Sequence, residues 1–183
     1  MKGVVFTEFL ELVESRWGYE QVDRMIDAAE LDHDGTYVAT GTYDHAELVR
    51  MAVALSADVD VPVPTLVRAF GEHLFARFVE GYGSFFEGVP DSRSFLERVH
   101  EVIHVEVRKL YPDAELPSLE CERGADGTLD VHYRSGRHFA DLAEGLIAGC
   151  IRHFDDELDV EREDREVAEG SHVVFRLMPR RAA

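Results

Sequence analysis

The apolar residues of this 183-residue chain keep helical spacing up to Pro112 and lose it beyond that point, and no single motif restricts the fold as much as this switch. A segment of period 3.6 buries one stripe of a helix, whereas a segment of period 2 buries one face of a sheet, so the two halves require different architectures. Val4, Val5, Phe9, Leu12, Val13 and Trp17 predict a helix over Gly3–Trp17, with Gly18 as its breaker. Val22, Met25, Ile26 and Ala29 predict a second over residues 19–31, then a turn at His33-Asp34-Gly35-Thr36 and a third helix over about 44–56. A Pro-containing connection spans 58–64, after which Thr65 is placed to cap a long helix through Leu66, Phe70, Leu74, Phe75, Phe78 and Val79. That helix breaks at Gly81-Tyr82-Gly83. Asp91 or Ser92 caps the next one, which carries two histidines as far as Leu110.

Past Pro112, residues 118–123 and 128–134 predict a β-hairpin around an Asp-Gly corner at Ala125-Asp126-Gly127. Helical spacing returns over 139–158 through Leu142, Leu146, Ile147, Ile151 and Phe154. Two strands, 159–167 and 171–177, and a loose basic tail at Pro179-Arg180-Arg181 complete the order. The expected fold is α+β: a mostly helical N-terminal half, then a small antiparallel sheet with one long helix.

Hydrophobic residues make up 45% of the chain, including 11 Phe, which is enough for one folded domain with a sizeable core. The net charge of -18 repels phosphate backbones and anionic headgroups, so no nucleic acid and no membrane is expected as a partner. Such acidity fits a soluble protein, as of a salty cytoplasm, or one with a basic protein partner. No apolar run reaches the roughly 20 residues of a membrane span, and Met1-Lys2-Gly3 leads into an amphipathic helix rather than a signal sequence, which predicts a cytoplasmic protein. Cys121 and Cys150 are too few for a disulfide framework or a four-thiolate metal site.

Two features carry chemistry. His104 stands mid-helix in apolar company, where a neutral imidazole is a good axial donor to iron. Tyr133-Arg134-Ser135-Gly136-Arg137 presents Tyr133, Ser135 and Arg137 at i, i+2 and i+4 of an extended segment, so the three project to one side while Arg134 and His138 point elsewhere. Such a trio suits the two carboxylates of a haem; alone it would equally be an ordinary polar strand face. His100-Glu101-Val102-Ile103-His104 also fits the His-Glu-x-x-His pattern of a zinc-dependent hydrolase, for which Glu122 or Glu144 would have to supply the third ligand. His100 is otherwise a solvated residue at a cofactor's rim. His73, His132, His153 and His172 are expected on the surface or hydrogen-bonded in the core. A third possibility is an interaction module without a cofactor.

Met1-Lys2-Gly3, Val102-Ile103-His104, Leu110-Tyr111-Pro112, Pro117 and Tyr133-x-Ser135-x-Arg137, taken in this order, resemble the haem-nitric oxide/oxygen-binding (H-NOX) family, whose fold is shared with the haem domain of soluble guanylate cyclase. The resemblance covers the whole chain and implies a stand-alone bacterial sensor: a single domain, 1–183, with an N-terminal helical subdomain (1–60), a haem-clamping subdomain (64–183), and the haem buried between them. It implies haem b (iron protoporphyrin IX) as cofactor, His104 as proximal iron ligand, Tyr133, Ser135 and Arg137 on the propionates, and Pro117 pressed against the macrocycle. The family's distal lining corresponds to Val5, Phe9, Leu74, Phe78, Leu142 and Leu146, all apolar, and Leu142 stands where oxygen-binding members carry a tyrosine. Dioxygen, once bound, carries negative charge and is held by a hydrogen-bond donor, so a pocket without one is expected to take nitric oxide and carbon monoxide and exclude oxygen. Tyr82 is the one nearby hydroxyl whose direction the Gly81-Tyr82-Gly83 break leaves open. The resemblance further implies that nitric oxide weakens the bond from iron to His104 and lets the helix over 95–110 shift between two states. The chain itself is expected to be non-enzymatic and to signal in trans to a histidine kinase or a diguanylate cyclase/phosphodiesterase.

Overall fold

A computed structural model describes residues 1–180; Arg181 of the expected tail lies outside them. The helices are α1 Gly3–Trp17, α2 Tyr19–Ala29, α3 His45–Val59, α4 Val63–Gly81, α5 Ser92–Arg98, α6 His104–Leu110 and α7 Ala140–His153. The strands are β1 Ser118–Arg123, β2 Leu129–Ser135, β3 Leu158–Arg165 and β4 Ser171–Pro179. They form one antiparallel sheet in the order β1-β2-β4-β3. The α+β expectation holds, and the hairpin pairs Ser118 with Arg134 and Arg123 with Leu129 around the Asp-Gly corner.

Several boundaries differ, each for a local reason. Helix α4 starts at Val63 behind Pro62, so Thr65 is not its cap: Pro64 sits in the first turn, where its missing N–H costs nothing. Helix α2 ends at Ala29 because Glu30 turns left-handed at φ 48°, while α3 continues through Val59 to a left-handed Asp60. Helix α7 stops at His153, before the left-handed Asp155 and the acidic run Asp155-Asp156-Glu157, which is unfavourable at a helix C-terminus. Leu158 therefore belongs to β3, where it pairs with Pro179. The tail is not loose at its start: Arg180 Nε lies 3.1 Å from Asp159 Oδ1.

The histidine-bearing helix is not one regular helix. Between α5 and α6 the residues Val99–Ile103 form a π-helical turn, and His104 is the first residue after it. Asp91 caps α5, its carboxylate accepting from the Ser94 N–H at 2.8 Å, and this bond holds the carboxyl below its ordinary value of 3.8. A lowered folded pKa contributes stability above the unfolded pKa that is lost as pH falls through the folded one. Asp91→Ala should cost about 1 kcal/mol at neutral pH. In urea midpoints, the gap to the parent should narrow below about pH 4 as the parent's own carboxyl protonates.

Two apolar clusters form the core. One joins α1, α2 and α3 to Leu66, Phe70, Leu74, Phe139 and Leu142; the other joins the inner sheet face, with Leu129, Val131, Tyr133, Val173, Phe175 and Leu177, to Phe75, Phe95 and Ile147. Helices α4 and α7 serve both, and they approach closely: a Cβ on Gly145 would lie 2.0 Å from the Arg68 carbonyl oxygen. Since backbone rather than a flexible side chain is in the way, Gly145→Ala must push the helices apart. A loss of about 1–3 kcal/mol is expected, read as a melting temperature lower by roughly 2–4 °C per kcal/mol.

Candidate functional site

His104 is half-buried beside the second cluster, and its Nδ1 is buried without a hydrogen-bond partner. Burial, helped by the nearby His100 and Arg108, lowers its pKa from 6.5 to about 4, while the Pro117 carbonyl pulls weakly the other way. At neutral pH the ring is therefore uncharged with a lone pair to give, the state in which imidazole binds metals. Pro117 is thus beside His104.

Tyr133 is only 3% exposed. Burial raises its pKa, and the Ser135 hydroxyl and the Arg137 cation act in the opposite direction, so the trio is brought together. Arg137 gets there by a different route from the one its spacing suggested. Strand β2 ends at Ser135, and Arg137 lies in the following bend, held by its own N–H donating to Ser135 Oγ at 3.1 Å and its carbonyl accepting from Ser171 Oγ at 3.0 Å. Its guanidinium pairs with the exposed carboxylate of Glu115 and reaches the Glu115 carbonyl at 3.4 Å. Arg134 faces the other side, on Glu120 at 2.7 Å, as the alternation predicts.

Glu115 is a site residue that the sequence did not disclose; its only mark is a position two residues before Pro117. The N-terminus is another. The Met1 ammonium donates to the Tyr43 carbonyl at 2.7 Å, and its pKa is lowered by burial and then by the Arg137 charge, which places residue 1 near the trio. Lys2 Nζ binds Thr42 Oγ1 at 2.7 Å and stands 4.6 Å over the Tyr111 ring, so the N-terminus is fastened to the segment after α6.

Phe9, Leu74 and Leu142 are buried in the first cluster, and Val5, Phe78 and Leu146 pack against it. The six residues expected as distal lining thus share one apolar environment, and Leu146 packs against the second cluster as well. Tyr82 is 44% exposed at the end of α4, its ring 6.1 Å from Phe78.

The zinc pattern does not assemble. The rings of His100 and His104 are 6.2 Å apart and inclined at 72°, the Nδ1 of His100 accepting from the Leu119 N–H at 3.5 Å, and Glu101 is exposed. His100 is accordingly a half-buried strand contact and not a solvated one. Glu122 lies by His132 at 3.9 Å, and Glu144 is taken by Arg68 at 2.8 Å and Arg162 at 3.1 Å. Among the described residues, no group of three or more His, Cys, Asp or Glu could hold a metal ion. Of the other histidines, His73, His132 and His172 depart from expectation, with buried ring nitrogens that have no hydrogen-bond partner. Burial raises both thiols, Cys121 to about 12, which keeps them protonated and unreactive.

A neutral imidazole, an arginine already holding a carboxylate beside a buried phenol, and a set of apolar side chains suit a planar, dianionic iron porphyrin better than any bare ion. Fold and donors together define a haem-binding sensor domain. The family profile described as haem-NO-binding matches residues 2–162, and the chain belongs to that family. Its fold is similar to that of the unliganded Fe(II) H-NOX A71G mutant from K. algicida, with a TM-score of 0.91 and 35% identity over 99% of this chain and 97% of that one. It is also similar to the IWP-051-bound Fe(II)CO H-NOX from Shewanella woodyi, with a TM-score of 0.84 and 40% identity over 98% and 95%. Among curated proteins it is similar to soluble guanylate cyclase gcy-35 of Caenorhabditis elegans, 23% identical over 96% of this chain, and to the soluble guanylate cyclase β-2 subunit of Rattus norvegicus, 28% identical over 60% of it. The chain spans 27% and 17% of the lengths of those two relatives. No described helix is long and apolar enough to cross a membrane.

Proposed function

We propose that this chain is a cytoplasmic bacterial sensor domain that takes nitric oxide and carbon monoxide at a ferrous haem b, does not retain dioxygen, and reports to a histidine kinase or a diguanylate cyclase/phosphodiesterase in trans. The observation that carries it is the imidazole of His104, buried at Nδ1 without a hydrogen-bond partner and held neutral by that burial. Bound haem would supply a ferrous iron able to take a diatomic gas. The chain does the rest. His104 would hold the iron through its imidazole, Tyr133, Ser135 and Arg137 would hold the propionate carboxylates, and Pro117, beside His104, would bear on the ring. Val5, Phe9, Leu74, Phe78, Leu142 and Leu146 keep water out and offer no hydrogen-bond donor.

The segment that carries His104 is suited to move. From Val99 to Leu110 no residue is fully buried, and its winding changes from π to α at His104, so a shift there gives up few packing contacts. The single domain 1–183 then works as two parts, 1–60 and 64–183, whose relative arrangement the His104 segment biases. The Lys2 and Met1 contacts described above connect those parts. The test is the visible spectrum of the reduced protein under argon, nitric oxide, carbon monoxide and air. Nitric oxide and carbon monoxide should each change it and air should leave it as under argon apart from slow oxidation; a stable new species in air, or no Soret band at all, would refute the reading.

A further inference from the structure

Helices α2 and α3 run antiparallel, since Gln21 and Arg24 of α2 meet Asp58 near the end of α3. On their outer side the seam between them is a surface trough of about 930 Å³. Its wall on α3 is apolar. Val49 and Val53 are 42% and 52% exposed, and with Ala57 they stand at i, i+4 and i+8, a continuous stripe along one helix face. β-Branched residues add nothing to helix propensity, so folding alone gives no reason for such a stripe to face water.

The rim along α2 is acidic. Asp27 and Glu30 line the trough, and Asp23 and Glu20 continue the row at three- or four-residue spacing towards the start of α2, all four exposed, with Glu30 at the left-handed residue that ends the helix. The two arginines that line the trough do not neutralise this row, because Arg24 pairs with Asp58 at 3.0 Å and Arg50 with Asp32 at 3.3 Å. An apolar stripe beside a row of carboxylates has a definite complement.

We propose that the α2–α3 trough is the docking site for a basic amphipathic helix of a partner protein, its apolar edge on Val49, Val53 and Ala57 and its lysines or arginines against the α2 carboxylates. The proposal rests on the reading above that the chain passes its state to another protein. A second copy of the chain is the poorer occupant, since each copy would bring a net charge of -18 and the same acidic row to the contact.

The probe is a labelled synthetic helix of about five turns, roughly 18 residues, with a Leu/Ala stripe flanked by Lys, together with its counterpart bearing Glu in place of Lys. Binding to the haem-loaded chain is read by fluorescence anisotropy at about 0.1 M salt, where long-range attraction is screened. Val49→Ser/Val53→Ser and, separately, Asp23→Asn/Asp27→Asn/Glu30→Gln should each weaken binding of the Lys helix by about tenfold or more. Glu157→Gln/Glu161→Gln/Glu163→Gln, which removes as many charges near and along β3, should leave it within about twofold, and the Glu helix should not bind. Equal losses in the β3 control, no loss in either trough variant, or binding of the Glu helix would overturn the proposal. So would a dimer in sedimentation that dissociates on Val49→Ser/Val53→Ser, since the occupant would then be a second copy. The Soret band recorded on the same samples keeps the two readings apart: its absence from the parent protein refutes the sensor, whatever the peptide does.

Discussion

His104→Gly should abolish axial ligation: haem affinity falls by at least about tenfold, 1.4 kcal/mol in binding free energy, and the reduced spectrum changes from that of the parent. Added imidazole should restore the parent spectrum, because glycine leaves the space and the apolar surroundings in place while removing only the donor. Rescue separates a lost ligand from a damaged fold. The substitution itself is benign for packing, since His104 is only half-buried and its Nδ1 has no hydrogen-bond partner to leave behind. If haem content and spectrum survive His104→Gly without imidazole, another residue holds the iron. His100 would then be the first to examine, because its ring lies 6.2 Å away.

Leu142→Tyr should make the reduced protein hold dioxygen in air. A hydroxyl donated to a partly charged acceptor in a dry pocket contributes about 1.5–3 kcal/mol, which is roughly tenfold to a hundredfold in oxygen affinity. Carbon monoxide affinity, which leans little on such a donor, should move far less. The site has an opposing term: Leu142 is 9% exposed and its backbone lies so close to Gly71 that a Cβ there would be 2.4 Å from the Leu142 carbonyl oxygen, so the larger ring costs about 1–3 kcal/mol of stability. The gas spectra should therefore be taken well below the melting temperature of the variant. Equal oxygen behaviour in Leu142→Tyr and the parent would mean that residue 142 does not face the bound gas.

Most of the fold was legible because hydrophobic period is a strong signal over long elements: α1 and the hairpin pairing lie where the spacing of Val4 to Trp17 and the Asp-Gly corner put them. What escaped was decided by backbone conformations or long-range contacts. Pro64 reads equally as linker or as first-turn residue, and only the packing of α4 chooses. The π turn at Val99–Ile103 has a faint trace in sequence, the β-branched Val99, Val102, Ile103, Val105 and Val107, which lower helix propensity without saying how the helix yields. Arg137 illustrates the same point at the site. Its alternation with Tyr133 and Ser135 suggested a common strand face, yet the strand ends first and a Ser135 hydroxyl bond brings the chain round. Glu115 and the Met1 ammonium approach Arg137 from distant segments, and no local pattern marks them. Glu47 is a similar case, a fully buried carboxylate of α3 that accepts from Tyr37 at 2.9 Å and shares 2.8 Å with His33 Nδ1, two partners from the preceding loop.

If the chain binds haem as proposed, the imidazole of His104 is bonded to its iron. Resonance Raman spectroscopy of the reduced protein grown with nitrogen-15 histidine tests this directly. An iron–nitrogen stretch that shifts with the label in the parent and is missing from His104→Gly is the predicted result. A label-sensitive stretch that persists in His104→Gly, or its absence from the parent, would contradict the account.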